Sequence, residues 1–163
     1  FASDDNEATH IIAFTGNPDA MNAMYSAGQN DQWQVMMSTF DQLTESKGSA
    51  AGRSIHTFNV EAEGPIHHIL QLNVKEPEKY APAFKKMWTT VKPDNRLTLG
   101  QFVSGRADGV SHYILVSNDD FKDLVTQRDW NAKERAAWQS YRKERGDMEI
   151  VSTMTRGLVK QWK

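Results

Sequence analysis

The sequence predicts an α+β fold in which β-α-β units build one antiparallel sheet covered by helices on one face. Three observations carry that prediction. The stretches THIIAFTG (9–16), HHILQLNV (67–74) and SHYILVSN (111–118) each open on a histidine beside a second polar residue and then turn apolar. Each leads into a segment of helical periodicity that holds a tryptophan: Trp33, Trp88 and Trp138. The turns EAEGP (61–65) and GRADG (105–109) are short, so the strand that closes one cycle is expected to form a hairpin with the strand that opens the next.

The elements follow in order. The first cycle reads as a strand around 9–15, a short helix from Pro18 to about Ala27 that Gly28 terminates, a helix with Trp33, Met36, Met37, Phe40 and Leu43 on one stripe, and a return strand from Arg53. The second has a strand at 67–74 and a helix whose Tyr80, Phe84, Met87, Trp88 and Val91 fall on a single face. Pro77 suits its first turn, and Lys92-Pro93-Asp94-Asn95 ends it before a strand from Arg96. In the third, Asp119 or Asp120 caps a short helix with Phe121, Leu124 and Val125. A charged helix with Trp138 and Tyr141 follows, and a strand from Met148 ends the cycle.

On the opening strands Ile12 with Phe14, Leu70, Leu72 and Val74, and Ile114 with Val116 alternate with a more mixed set: Ile69, Gln71, Asn73, Tyr113, Leu115 and Ser117. One sheet face is therefore apolar enough to receive helices and the other only partly so. The cycles span about 9–62, 66–105 and 110–163 within a single α+β domain at 9–163, after a flexible lead-in at 1–8.

Composition removes several functions. The chain has 163 residues, 39% of them hydrophobic, enough for a real core. Lys and Arg number 19 against 21 Asp and Glu, with no run of one sign, so no electrostatic footprint for nucleic acid exists. No apolar stretch has the length of a membrane span. Without cysteine there is neither a disulfide nor a thiolate ligand nor a cysteine nucleophile. Phosphate-binding glycine loops, G-x-S-x-G elbows and H-E-x-x-H motifs are also missing. The opening FASDDNEATH resembles the end of a small-residue cleavage junction followed by a polar linker, which gives a periplasmic or secreted location as the expectation and the cytoplasm as the alternative.

All five histidines, 10, 56, 67, 68 and 112, fall on expected strands. His67 and His68 are consecutive, so they face opposite sides and cannot chelate one ion. His10, His68 and His112 are the candidate catalytic bases. In an antiparallel sheet the openings of consecutive cycles lie at opposite ends, so these three are not expected to share a metal. For ligand binding, His67, Gln71 and Tyr113 on the mixed face and Trp33 and Trp138 on the helices are the candidates. The alternatives are structural: strand histidines bonding neighbouring groups, tryptophans in the core, and the run KERAAWQSYRKERGD (133–147) as a solvated helix face.

The β-α-β-β-α-β order is that of the ferredoxin-like fold. With its H-x-[IL] strand openings, the chain resembles the dimeric α/β-barrel superfamily, which includes cofactor-independent monooxygenases, haem-degrading enzymes and chlorite dismutases. The resemblance implies ferredoxin-like units of the dimeric α/β-barrel type, a homodimer, and a small apolar ligand entering between sheet and helices. In its enzymatic form it implies monooxygenase-like chemistry with a histidine base. The superfamily's haem-binding branches ligate iron through a helix-borne histidine. No expected helix here holds one, so no cofactor is expected. The alternative is a non-catalytic, exported interaction or oligomerisation module.

Overall fold

A computed structural model describes residues 9–27, 30–106 and 109–161. The chain divides into two compact units, one before and one from Ala50. The first unit holds α1 (Pro18–Ala27) and α2 (Asp31–Leu43). Asn17 Oδ1 accepts the Ala20 N–H at 2.8 Å and Asn30 Oδ1 accepts that of Trp33 at 2.9 Å, so each helix starts where a side chain satisfies an orphan donor. Residues 10–17 are irregular, and this corrects the strand expected around 9–15. A strand exists only by pairing, and the five-stranded sheet is built entirely from residues 51–157. His10 is accordingly the one histidine not on a strand. The Gly28 terminator lies outside the described residues.

The second unit runs β1 (Ala51–Phe58), β2 (Ile66–Val74), α3 (Pro77–Val91), β3 (Arg96–Ser104), β4 (His112–Asn118), α4 (Phe121–Val125), α5 (Ala132–Glu144) and β5 (Met148–Gly157). The strands form one sheet in the order β1-β3-β4-β2-β5, every neighbour antiparallel. The β3–β4 hairpin forms as expected. No β1–β2 hairpin forms, because β4 and β5 occupy both edges of β2 and β1 pairs with β3 instead.

α3 behaves as its stripe predicts. Tyr80, Ala83, Phe84, Met87 and Val91 are buried against Leu72, Val74, Leu97 and Leu99. Tyr80, Phe84, Leu72, Met87 and Leu99 are the largest side chains closed to solvent. Each large apolar side chain so buried is worth about 1.5–3 kcal/mol. Lys92 ends α3 in the left-handed conformation, its N–H donating to Trp88 O at 2.9 Å. α5 packs beside α3, with Tyr141 in the same core.

The run 133–147 is largely exposed, as the solvated reading expects, and Glu134 is an exception to it. It is buried, takes the Asn131 N–H on Oε2 at 2.8 Å in a capping box, and takes Arg128 Nη2 on Oε1 at 2.8 Å.

Candidate functional site

Because successive strand residues alternate, the register assigns every side chain to a face. Ile66, His68, Leu70, Leu72 and Val74 of β2 share the helix-covered side with His112, Ile114 and Val116 of β4 and with Leu97 and Leu99 of β3. Here the space between sheet and helices is filled by the core. His112 is 2% exposed, with Nδ1 2.9 Å from Ser111 Oγ and its ring 6.4 Å from that of Tyr80. His68 Nδ1 lies 3.0 Å from Thr155 Oγ1. Burial holds both imidazoles below their ordinary value. His68 is level with Val116, and His112 with Leu72, four residue steps further along β2. That is about 13 Å of strand, so the two do not converge.

The opposite face carries His67, Ile69, Gln71 and Asn73 with Tyr113, Leu115 and Ser117, the whole mixed set of β2 and β4. From β3 it takes Arg96, Thr98, Gly100 and Phe102, and from β5 Ser152, Met154 and Arg156. A bulge in β5 between the partners of Gln71 and Leu72 keeps these faces in step. Here the side chains stand in cross-strand rows.

One row joins Gly100, Tyr113, Gln71 and Ser152. The Tyr113 ring lies over Gly100, where a β-carbon would fall 2.0 Å from Cζ, and its Cε1 is 3.3 Å from where Gly52 would carry one. Phe102 tilts against Tyr113 with ring centroids 5.0 Å apart, and the Arg106 guanidinium stands 5.3 Å from the Phe102 centroid. Arg106 Nη2 also donates to Gln71 Oε1. Arg106, Phe102 and Gly100 were not singled out from sequence. The usable signal was Arg106 in the GRADG turn, four residues after the strand aromatic Phe102.

The structure therefore gathers His67, Gln71 and Tyr113 on one face and places His68 and His112 on the other. Trp138, 37% exposed, is on α5, its ring 5.6 Å from that of Trp130 and 5.4 Å from that of Tyr141. Trp33 and His10 belong to the first unit. Trp33 packs 6.0 Å from Phe14, and exposed His10 sits 3.0 Å from Thr9 Oγ1. Two surface depressions touch none of these residues. One of about 180 Å³ lies between α3 and α5 over Ala83, Met87 and Ala137, and one of about 570 Å³ lies beside Phe58, Trp88 and Pro93. Among the described residues no three His, Asp or Glu side chains converge as metal ligands, and no helix is long and apolar enough to cross a membrane.

The chain matches no protein-family model, no curated protein and no solved structure.

Proposed function

We propose that the chain is a binding module of the ferredoxin-like, dimeric α/β-barrel type whose open sheet face, open in that α3 and α5 pack on the other side although Gln71, Thr98, Ser117 and Met154 on it are buried, receives a small, largely apolar molecule. The strand order β3-β4-β2-β5, with α3 between β2 and β3 and with α4 and α5 between β4 and β5, supports that architecture. A single observation carries the ligand reading: a concentrated aromatic and amide group, Tyr113 over Gly100 beside Phe102, Arg106 and Gln71, on the sheet face that α3 and α5 leave alone. An apolar surface with a few fixed polar groups is the usual composition of a ligand site. His68 and His112, bonded to hydroxyls on the core side, favour binding over proton abstraction.

Thermal-shift titration of the full chain with a panel of small aromatic and aliphatic compounds tests this. The expected result is a rise in Tm that Tyr113→Ala abolishes. No rise with any compound, or a rise that Tyr113→Ala leaves intact, refutes the reading.

A second reading, a homo-oligomeric module, draws on the sheet ending in β1 and β5, edge strands with no further partner among the described residues. Light scattering tests it, and a monomer at all concentrations excludes it.

A further inference from the structure

The row of side chains at the other end of the open face is basic. Register places Arg96 beside Ser117, Ser117 beside His67, and His67 beside Arg156, one residue from each of β3, β4, β2 and β5. Three of the four are bases, and the fourth is a hydroxyl. Their hydrogen bonding is incomplete. Arg96 Nη1 reaches Glu63 at 3.0 Å, but among the described residues its buried Nε has no partner, and neither has the buried His67 Nε2. Arg156 spends its Nε on the sulfur of Met154 at 3.4 Å. A buried donor left unpaired costs about 1–3 kcal/mol; Arg96 Nε is such a donor, and His67 Nε2 is a second one in the tautomer that carries its proton there, so the row marks a place where an acceptor fits.

The adjoining row is different in kind. Thr98, Leu115, Ile69 and Met154 stand next to it, about 7 Å along the strands, and the Tyr113 row follows about 7 Å further on. The face thus grades from cationic through aliphatic to aromatic over about 14 Å. Glu63, at the β3 end, is the one carboxylate among the described residues that is ion-paired with the basic row.

We propose that half-buried Arg96, His67 and Arg156, in one row with the buried Ser117, bind the carboxylate of a small amphiphilic acid, a medium-chain fatty acid in class, whose apolar body lies along half-buried Ile69 and Leu115 towards Tyr113. A carboxylate is an acceptor only and makes its strongest hydrogen bonds to guanidinium, which is what the row supplies. The inference rests on the open face being the ligand site and adds the identity of the head group.

Calorimetric titration of the full chain with decanoate and, separately, with decanol decides it. The two probes share an apolar body and differ in charge. Decanoate is expected to bind at least about tenfold more tightly than decanol, and its affinity to fall with salt. Arg156→Gln, on an edge strand and half-buried, is expected to weaken decanoate about tenfold and leave decanol unchanged, with His67→Asn as the second variant. Both variants are checked for an unaltered far-ultraviolet spectrum. Equal binding of the two probes, or variants without effect on decanoate, overturns the head-group site while leaving the open-face ligand reading standing. Failure of both probes overturns the proposal itself, and the wider reading is then judged by the Tyr113-dependent compound panel.

Discussion

The Tyr113 ring lies over Gly100, close enough that a β-carbon there would sit 2.0 Å from Cζ. A side chain at residue 100 and the present position of that ring are mutually exclusive. Gly100→Ala is expected to push the ring off the sheet and lower stability by about 1–3 kcal/mol, because the obstructing atoms belong to a side chain that can move. At Gly64 the obstruction is backbone: a β-carbon would meet Asn118 O at 2.0 Å. Gly64→Ala should therefore cost more. Urea unfolding of the two variants, with near-ultraviolet circular dichroism for the tyrosine, checks the order. A Gly64→Ala protein as stable as Gly100→Ala would contradict it.

Glu134 has two tasks, closing the first turn of α5 and neutralising Arg128. Glu134→Ala removes both and leaves Arg128 with Asp94 Oδ2, 3.2 Å away and well exposed, as its remaining carboxylate, so a loss of about 1–3 kcal/mol is expected in chemical denaturation. The pair Lys86–Glu144, 2.7 Å apart, makes the contrast. Both side chains are well exposed, and Lys86→Ala is expected to leave the unfolding midpoint where it is. Equal effects of the two substitutions would show that burial does not separate them.

Stability should fall as pH drops below the ordinary imidazole value of 6.5. Burial lowers His68 and His112, and burial with the Lys85 ammonium lowers His56. The folded chain thus resists protonation, so below 6.5 the unfolded chain holds more protons and gains; above 6.5 both states are neutral and the dependence vanishes. Glu76 and Glu144, held below 4.5 by Lys79 and Lys86, act in a separate and more acidic window. Melting curves between pH 5 and 7 (about the imidazole range) should show the decline, and His112→Gln should make it shallower. An unchanged slope in that variant would exclude His112 as a contributor.

Tyr80 is fully buried, its hydroxyl makes no well-formed hydrogen bond among the described residues although the Tyr141 hydroxyl is close by, and burial, reinforced by Tyr141, pushes its ionisation far up. Its ring stacks on Phe84 and meets Tyr141 edge-on at 6.0 Å. Tyr80→Phe keeps those contacts and removes the orphan oxygen, so a gain of about 1 kcal/mol is expected in urea unfolding. A loss of stability would reveal a bond to that oxygen.

Much of this was legible in advance where the signal was local. The α3 stripe from Tyr80 to Val91, the Pro77 start and the Lys92 end stand as expected, and of the two expected caps of α4, Asp119 or Asp120, it is Asp120 that serves. The alternation in HHILQLNV and SHYILVSN separated the core face from the mixed face residue by residue. Glu134 was misread because a charged helix face looks alike in sequence whether or not one carboxylate turns back to cap it.

Periodicity, caps and strand faces come from interactions within a few residues, so the sequence by itself determined them, along with the separation of His67 from His68. Which strands become neighbours is a contest for sheet edges between segments far apart in the chain, and only the tertiary structure decided it. That contest left residues 10–17 outside the sheet, sent β1 to β3, and aligned Arg96, Ser117, His67 and Arg156 from four strands into one row. No spacing along the chain encodes such a row, because its members meet only through backbone pairing across the sheet.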